Sequence, residues 1–255
     1  MKTINNKRYK ILQTVVNAVI ILIVIATSCF LFLPETTITI SKKDGEEAIY
    51  SGDKNFCRVS LMFNVYENVE IVNGILDLLK EYKVKATFFV GGCFADDNAE
   101  LLQRMVKEGH EIANHGYFHK DHKNISEEEN RREIYNTEVV VKALTGVKTN
   151  LFAPPSGSFS LTTLKVAKAL GYKVIMWSKD TIDWRDNNEE LVFKRATERL
   201  ENGDLILMHP KEHTLNALGK IISYYLFKGF EVVTVTENIG GVWCNFTKNM
   251  ITGLK

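Results

Sequence analysis

The sequence predicts an α/β fold, a distorted (β/α)7 TIM-like barrel, carried behind an N-terminal transmembrane helix. Two observations give the barrel. From residue 57 to 237, short β-rich runs alternate with amphipathic stretches, and strands separated by helices pair in parallel. About seven such units favour a barrel over an open sheet. A third observation gives the anchor: an apolar run at 14–33, flanked by Lys2, Lys7, Arg8 and Lys10. About 20 apolar residues at 1.5 Å rise cross a ~30 Å hydrocarbon layer. The basic flank stays cytoplasmic, so the domain is expected on the outer face of a cell membrane. The run is longer than a signal-peptide core and has no clear small-x-small cleavage site, so an uncleaved anchor is expected.

These signals divide the 255 residues into a basic tail (1–13), an anchor (14–33), a polar tether (34–56), the domain (57–237) and a C-terminal extension (238–255). Within the domain a β run at 59–65 precedes Ile71, Ile75, Leu78 and Leu79 at helical spacing. A strand at 86–90 and a helix around 101–106 follow, then a short strand at 111–114. A long helix begins at the capping box Ser126-x-x-Glu129 and closes near Gly146. Strands at 151–152, 174–177, 205–208 and 232–235 complete the alternation, with a helix ending on Gly171 and another near 191–200.

A hydrophobic content of 45%, a charged content of 25% and a net charge of +1 describe an ordinary globular chain. No basic stripe interleaved with aromatics is present, which excludes nucleic acid as a partner. Cys29, Cys57, Cys93 and Cys244 have no metal-binding or framework spacing, although one disulfide could form.

In a barrel of this kind, reactive groups gather at the C-terminal ends of the strands. His115 and His119 follow the 111–114 strand, and on a helical turn their spacing of four puts both imidazoles on one face. Asp180 and Asp183-Trp184 follow one strand, and Leu207-Met208-His209 ends the next. An aspartate orienting a histidine is an acid/base device.

Ala86-Thr87-Phe88-Phe89-Val90, Asn114-His115 with His119, Pro154-Pro155, Asp180-Thr181-Ile182-Asp183-Trp184 and Leu207-Met208-His209 together resemble the NodB-homology polysaccharide deacetylases, carbohydrate esterase family 4. The resemblance covers residues 57–237. It implies metal-assisted removal of N-acetyl groups from a GlcNAc-containing cell-surface polysaccharide, peptidoglycan or a similar polymer. On this resemblance His115 and His119 hold a divalent metal, zinc by ligand type. His209 is the general acid and Asp180 orients it. Trp184, Leu207, Pro155 and Ser156 contact substrate, Ser156 through its backbone N–H.

The sequence departs from the family at the base. Where the family carries two aspartates, this chain has Asn64 and Val65, and Ala153 replaces an arginine that holds the base carboxylate. Asn64 cannot take a proton from water. Two readings follow. In the expected one, Glu67 or Glu70, or Asp121 beside His119, supplies a surrogate carboxylate and the protein is a hydrolase. In the other it is a catalytically impaired pseudoenzyme that binds glycan at the barrel mouth.

Overall fold

The computed structural model describes residues 47–240, together with Gln13, Val16, Asn17, Val19 and Ile21, which are helical. The remainder of the expected anchor and the extension beyond 240 lie outside the described residues, as do Cys29 and Cys244. Among the described residues, no helix is long and apolar enough to cross a membrane.

Among the described residues, nine strands form one parallel sheet: β1 (Ala48–Ile49), β2 (Arg58–Val65), β3 (Thr87–Val90), β4 (Glu111–Asn114), β5 (Leu151–Phe152), β6 (Lys173–Ile175), β7 (Lys179–Asp180), β8 (Asp204–Met208) and β9 (Glu231–Val232). Their spatial order is β1-β6-β5-β4-β3-β2-β8-β7, with β9 beside β2. Eight helices connect them: α1 (Val69–Glu81), α2 (Gly92–Asp97), α3 (Ala99–Lys107), α4 (Glu127–Thr145), α5 (Leu161–Ala169), α6 (Glu189–Thr197), α7 (Glu212–Phe227) and α8 (Val235–Gly240).

The sheet is a parallel partial barrel, which fits the expected distorted barrel. Strands β6 and β7 lie near opposite ends of the path yet are consecutive in sequence. The bridge between them is short: Met176 N–H donates to Ile49 and Ser178 N–H to Leu205. Trp177 therefore lies on the short link between the two ends of the strand order. The expected 34–56 tether also ends earlier than its composition suggested. Ala48 and Ile49 pair with Val174 and Ile175, and Gly52 N–H donates to Gly203 O at 2.7 Å. Residues 47–56 thus belong to the domain.

Strand β2 shows why the sheet has two apolar faces. Leu61, Phe63 and Val65 enter the large core beneath the helices, while Met62 enters an inner cluster with Phe89, Ala113, Leu151, Ala153 and Ile175. Alternation at period two sends successive side chains to opposite faces, and helices cover the outer one. Phe63 stacks on Phe88 with ring centroids 5.3 Å apart. Ser126 and Glu129 form the expected capping box on α4, which closes on Gly146 at φ 75°.

Candidate functional site

A cavity of about 370 Å³ opens among the C-terminal ends of the strands. Each strand contributes by position. Asn64 is the penultimate residue of β2, Asp180 ends β7, and Leu207 is the penultimate residue of β8. His115, Trp177 and His209 each lie just beyond a strand end, and Ser156 stands in the turn after β5. All seven border the cavity, together with His119 and Trp184. Most of the expected site is therefore brought together, while Pro155 is buried and does not border the cavity.

The histidine pair meets on a loop and not, as expected, on a helical turn. Gly116 and His119 have φ of 72° and 54°, and these left-handed residues fold the segment back. The His115 and His119 rings come within 5.2 Å, nearly edge to face. His115 Nδ1–H donates to Ala153 O at 2.8 Å, which fixes the tautomer and leaves Nε2 as a lone pair. Burial first, then the neighbouring His119, depresses the His115 pKa to about 3. Burial also lowers His119. Burial thus favours the neutral form of both rings.

Two residues hold this loop that the sequence did not single out. Glu133, buried on α4, accepts hydrogen bonds from Tyr117 N–H at 2.8 Å and Phe118 N–H at 2.7 Å. Tyr66 donates to Tyr117 O at 2.6 Å, and its ring meets His119 edge-on at 5.1 Å. A side chain at Gly116 would press on His122 Nε2 and Glu133 Oε2, at 3.2 and 3.4 Å.

His209 is held by Asp183 and not, as expected, by Asp180. His209 Nδ1–H donates to Asp183 Oδ1 at 2.7 Å. Asp183 Oδ2 accepts from His209 N–H and from the Thr214 hydroxyl, each at 2.7 Å. The His213 ring binds the Asp183 carbonyl at 2.9 Å. Asp183 is fully buried. Burial alone would raise its pKa, but the His209 hydrogen bond and charge, with the other donors, hold it below the usual value. Asp180 faces the cavity instead. Its Oδ1 accepts from Ile182 N–H at 2.7 Å and its Oδ2 from the Trp184 indole at 3.5 Å, closing the 180–184 turn.

The surrogate carboxylates do not reach the cavity. Glu67 is exposed and pairs with Lys211 across the rim. Glu70 lies in the exposed first turn of α1. Asp121 accepts from the Ser158 hydroxyl and from Asn124 at 2.7 Å, organising its own loop. Among the described residues, no group of three His, Cys, Asp or Glu side chains could hold a metal ion. Two imidazoles without a carboxylate do not meet the three-ligand pattern of a hydrolytic metal site. Cys57 and Cys93 are free thiols.

Asn64 is the remaining polar group on the cavity floor. It is 6% exposed, and its Oδ1 is sealed from solvent without a partner. Ser156 adopts φ 55°, and among the described residues its N–H has no acceptor.

The comparisons agree with this geometry. The polysaccharide deacetylase family profile matches residues 51–175. An uncharacterized Bacillus subtilis protein, YlxY, is 35% identical over 75% of this chain and 60% of its own length. A peptidoglycan-N-acetylglucosamine deacetylase of Bacillus cereus is 34% identical over 73% of this chain and 70% of its own. Among solved structures, a family 4 carbohydrate esterase pseudoenzyme of Bacillus anthracis is 34% identical with a TM-score of 0.74. It covers 76% of this chain and 69% of that one. A mutant of that pseudoenzyme with restored enzymatic activity superposes equally well, at a TM-score of 0.74, 33% identity, and coverage of 76% and 71%. With 34% identity over 70% of the Bacillus cereus deacetylase and the family profile matched over residues 51–175, this chain belongs to the polysaccharide deacetylase family, carbohydrate esterase family 4.

Proposed function

We propose that this protein is a glycan-binding pseudoenzyme of the family, displayed at the cell surface, in which removal of the N-acetyl group is disabled. One observation carries the reading: an amide, Asn64, occupies the cavity floor where hydrolysis needs a base. Neither Glu67, Glu70 nor Asp121 borders the cavity, and both oxygens of Asp180 face N–H groups of its own turn. Loss of a general base costs about 10²–10⁴ in rate. The remaining features favour a sugar. Trp184 and Trp177 are aromatic faces, Leu207 is an apolar contact, and His209, Ser156 and Asn64 supply polar groups. Peptidoglycan is the proposed polymer, supported by the activity named for the Bacillus cereus relative and by the apolar 14–33 run as an outward-facing anchor. A zinc-class ion would have only His115 and His119 as protein ligands, and its binding is proposed to be weak.

The intact His209–Asp183 pair supports a second reading, a slow deacetylase. One experiment separates the two: binding of acetylated chitin oligomers and acetate release from peptidoglycan, measured beside an active relative. The expected result is micromolar binding with acetate release at least 10²-fold below the relative. A comparable rate that collapses in His209→Ala would overturn the pseudoenzyme reading.

A further inference from the structure

Among the described residues, Asn64 is a buried polar side chain at the cavity that makes no hydrogen bond at all. The chain positions it firmly. It pairs in register with Phe89 on β3, two residues beyond Met62 of the inner cluster. Of its two amide atoms, Oδ1 is sealed away without a partner. Nδ2 makes no hydrogen bond among the described residues, yet the side chain borders the cavity. The donor end therefore faces the opening. The His115 Nε2 lone pair borders the same space, because Nδ1–H is committed to Ala153 O. A donor is favoured there over a second lone pair.

The Nδ2–H that faces the cavity is uncommitted and free to meet a ligand acceptor. The acceptor must be neutral or weakly basic, small, and attached to an apolar group that fits against Leu207 and Trp177. A secondary amide has those properties: its carbonyl oxygen accepts, and its methyl is apolar.

Building on the glycan-binding reading, we infer that Asn64 is a specificity-determining residue that donates its Nδ2–H to the carbonyl oxygen of an intact acetamido group. The free N–H of Ser156 donates to the same oxygen. Asn64 thereby performs recognition without activation. The interaction is charge-neutral, needs no metal ion, and leaves the amide bond unbroken. An aspartate at this position carries no donor and repels the carbonyl dipole, so the residue that would serve as a base opposes this mode of binding.

The test uses the full-length protein in mild detergent with EDTA, titrated calorimetrically with tetra-N-acetylchitotetraose and with its fully deacetylated counterpart. Expected are an affinity for the acetylated probe unchanged by EDTA, at least tenfold weaker binding of the deacetylated probe, and a loss of tenfold or more in both Asn64→Ala and Asn64→Asp. Thermal unfolding checks that the variants fold. Should either fail to fold, the wild-type side-chain amide resonance of Asn64 gives an independent readout and is expected to move downfield on adding the acetylated probe. Undiminished affinity in Asn64→Asp, an unmoved resonance, or binding abolished by EDTA would overturn the role of Asn64 while leaving glycan binding standing. No binding of either probe by the wild type would overturn both.

Discussion

Replacing Asp183 by Asn tests the corrected acid pair most directly, because Asp180 three residues earlier serves as an internal control. Asp183 is fully buried and accepts three side-chain hydrogen bonds, two from His209 and one from Thr214. Asn keeps the shape, but its NH2 group must face a donor on one side or the other. One charge-assisted bond becomes a donor–donor contact and the others weaken. Bonds to charged groups are worth about 1.5–3 kcal/mol each, and breaking a buried pair costs about 3–5 kcal/mol. The expected destabilisation is therefore about 3–4 kcal/mol, or roughly 8–14 °C in Tm for a domain of this size. Asp180→Asn, on an intermediate-exposure turn, should cost about 1 kcal/mol or less. Urea unfolding gives both values, and the His209 ring resonances report whether Nδ1–H is lost in Asp183→Asn alone. The pH profile carries a matching sign. The Asp183 pKa is depressed in the fold, so its contribution is complete above the unfolded carboxylate value and is lost as pH falls through the folded one. Equal costs for the two variants, or a cost below 1 kcal/mol for Asp183→Asn, would refute the assignment.

Three further outcomes are expected. Burial, and then Lys85, depresses His110 to about 4; because the unfolded chain protonates near 6.5, its contribution is full above that pH and declines by about 3 kcal/mol as pH falls to 4. His110→Asn keeps an acceptor for Ala86 N–H without titrating, so urea midpoints should depend less on pH; an unchanged dependence removes His110 as its source. Glu133→Ala leaves the Tyr117 and Phe118 N–H groups unpaired, and their amide exchange should quicken at least tenfold relative to β2. Full-length protein should sediment with membranes and resist high-salt extraction; soluble mature protein starting near residue 27–35 would show a cleaved leader.

The sequence carried those parts of the fold and site that rest on local pattern. The Ser126–Glu129 capping box, the left-handed Gly146 and the strand ending at Asn114 are written within a few residues of themselves. What it did not carry depends on which way a loop turns. Asp180 and Asp183 are chemically equivalent on paper; in the turn that passes through Ile182 at φ 54°, Asp180 borders the cavity while Asp183 holds His209. His115 and His119 have helical spacing, yet Gly116 and His119 itself bring them together on a loop. Glu133 reads as one more acid on a charged helix, and only tertiary packing reveals the two N–H groups that it satisfies. Strand β1 has two residues and no periodicity, so it exists only through its pairing with β6.

The losses at Asn64 and Ala153 are best understood as one physical unit. Ala153 is fully buried in the inner cluster with Met62, Phe89 and Leu151, and its carbonyl still orients His115. An arginine there, opposite an asparagine, would bury an unpaired guanidinium among apolar side chains at a cost of several kcal/mol. An aspartate at position 64 without that arginine would be a carboxylate with no counter-charge, its pKa raised by burial and its value as a base diminished. Each reversion alone is therefore expected to destabilise the domain, whereas Asn64→Asp with Ala153→Arg should recover much of the loss. Val65 stays unchanged in this design, because it packs in the outer core with no exposed surface. In a double-mutant cycle measured by urea unfolding, the coupling between positions 64 and 153 should exceed about 2 kcal/mol, well above the few tenths expected of independent sites. Additive costs would mean that the two positions do not share a charge pair in this fold, and the absence of arginine would then need an explanation separate from the absence of the base.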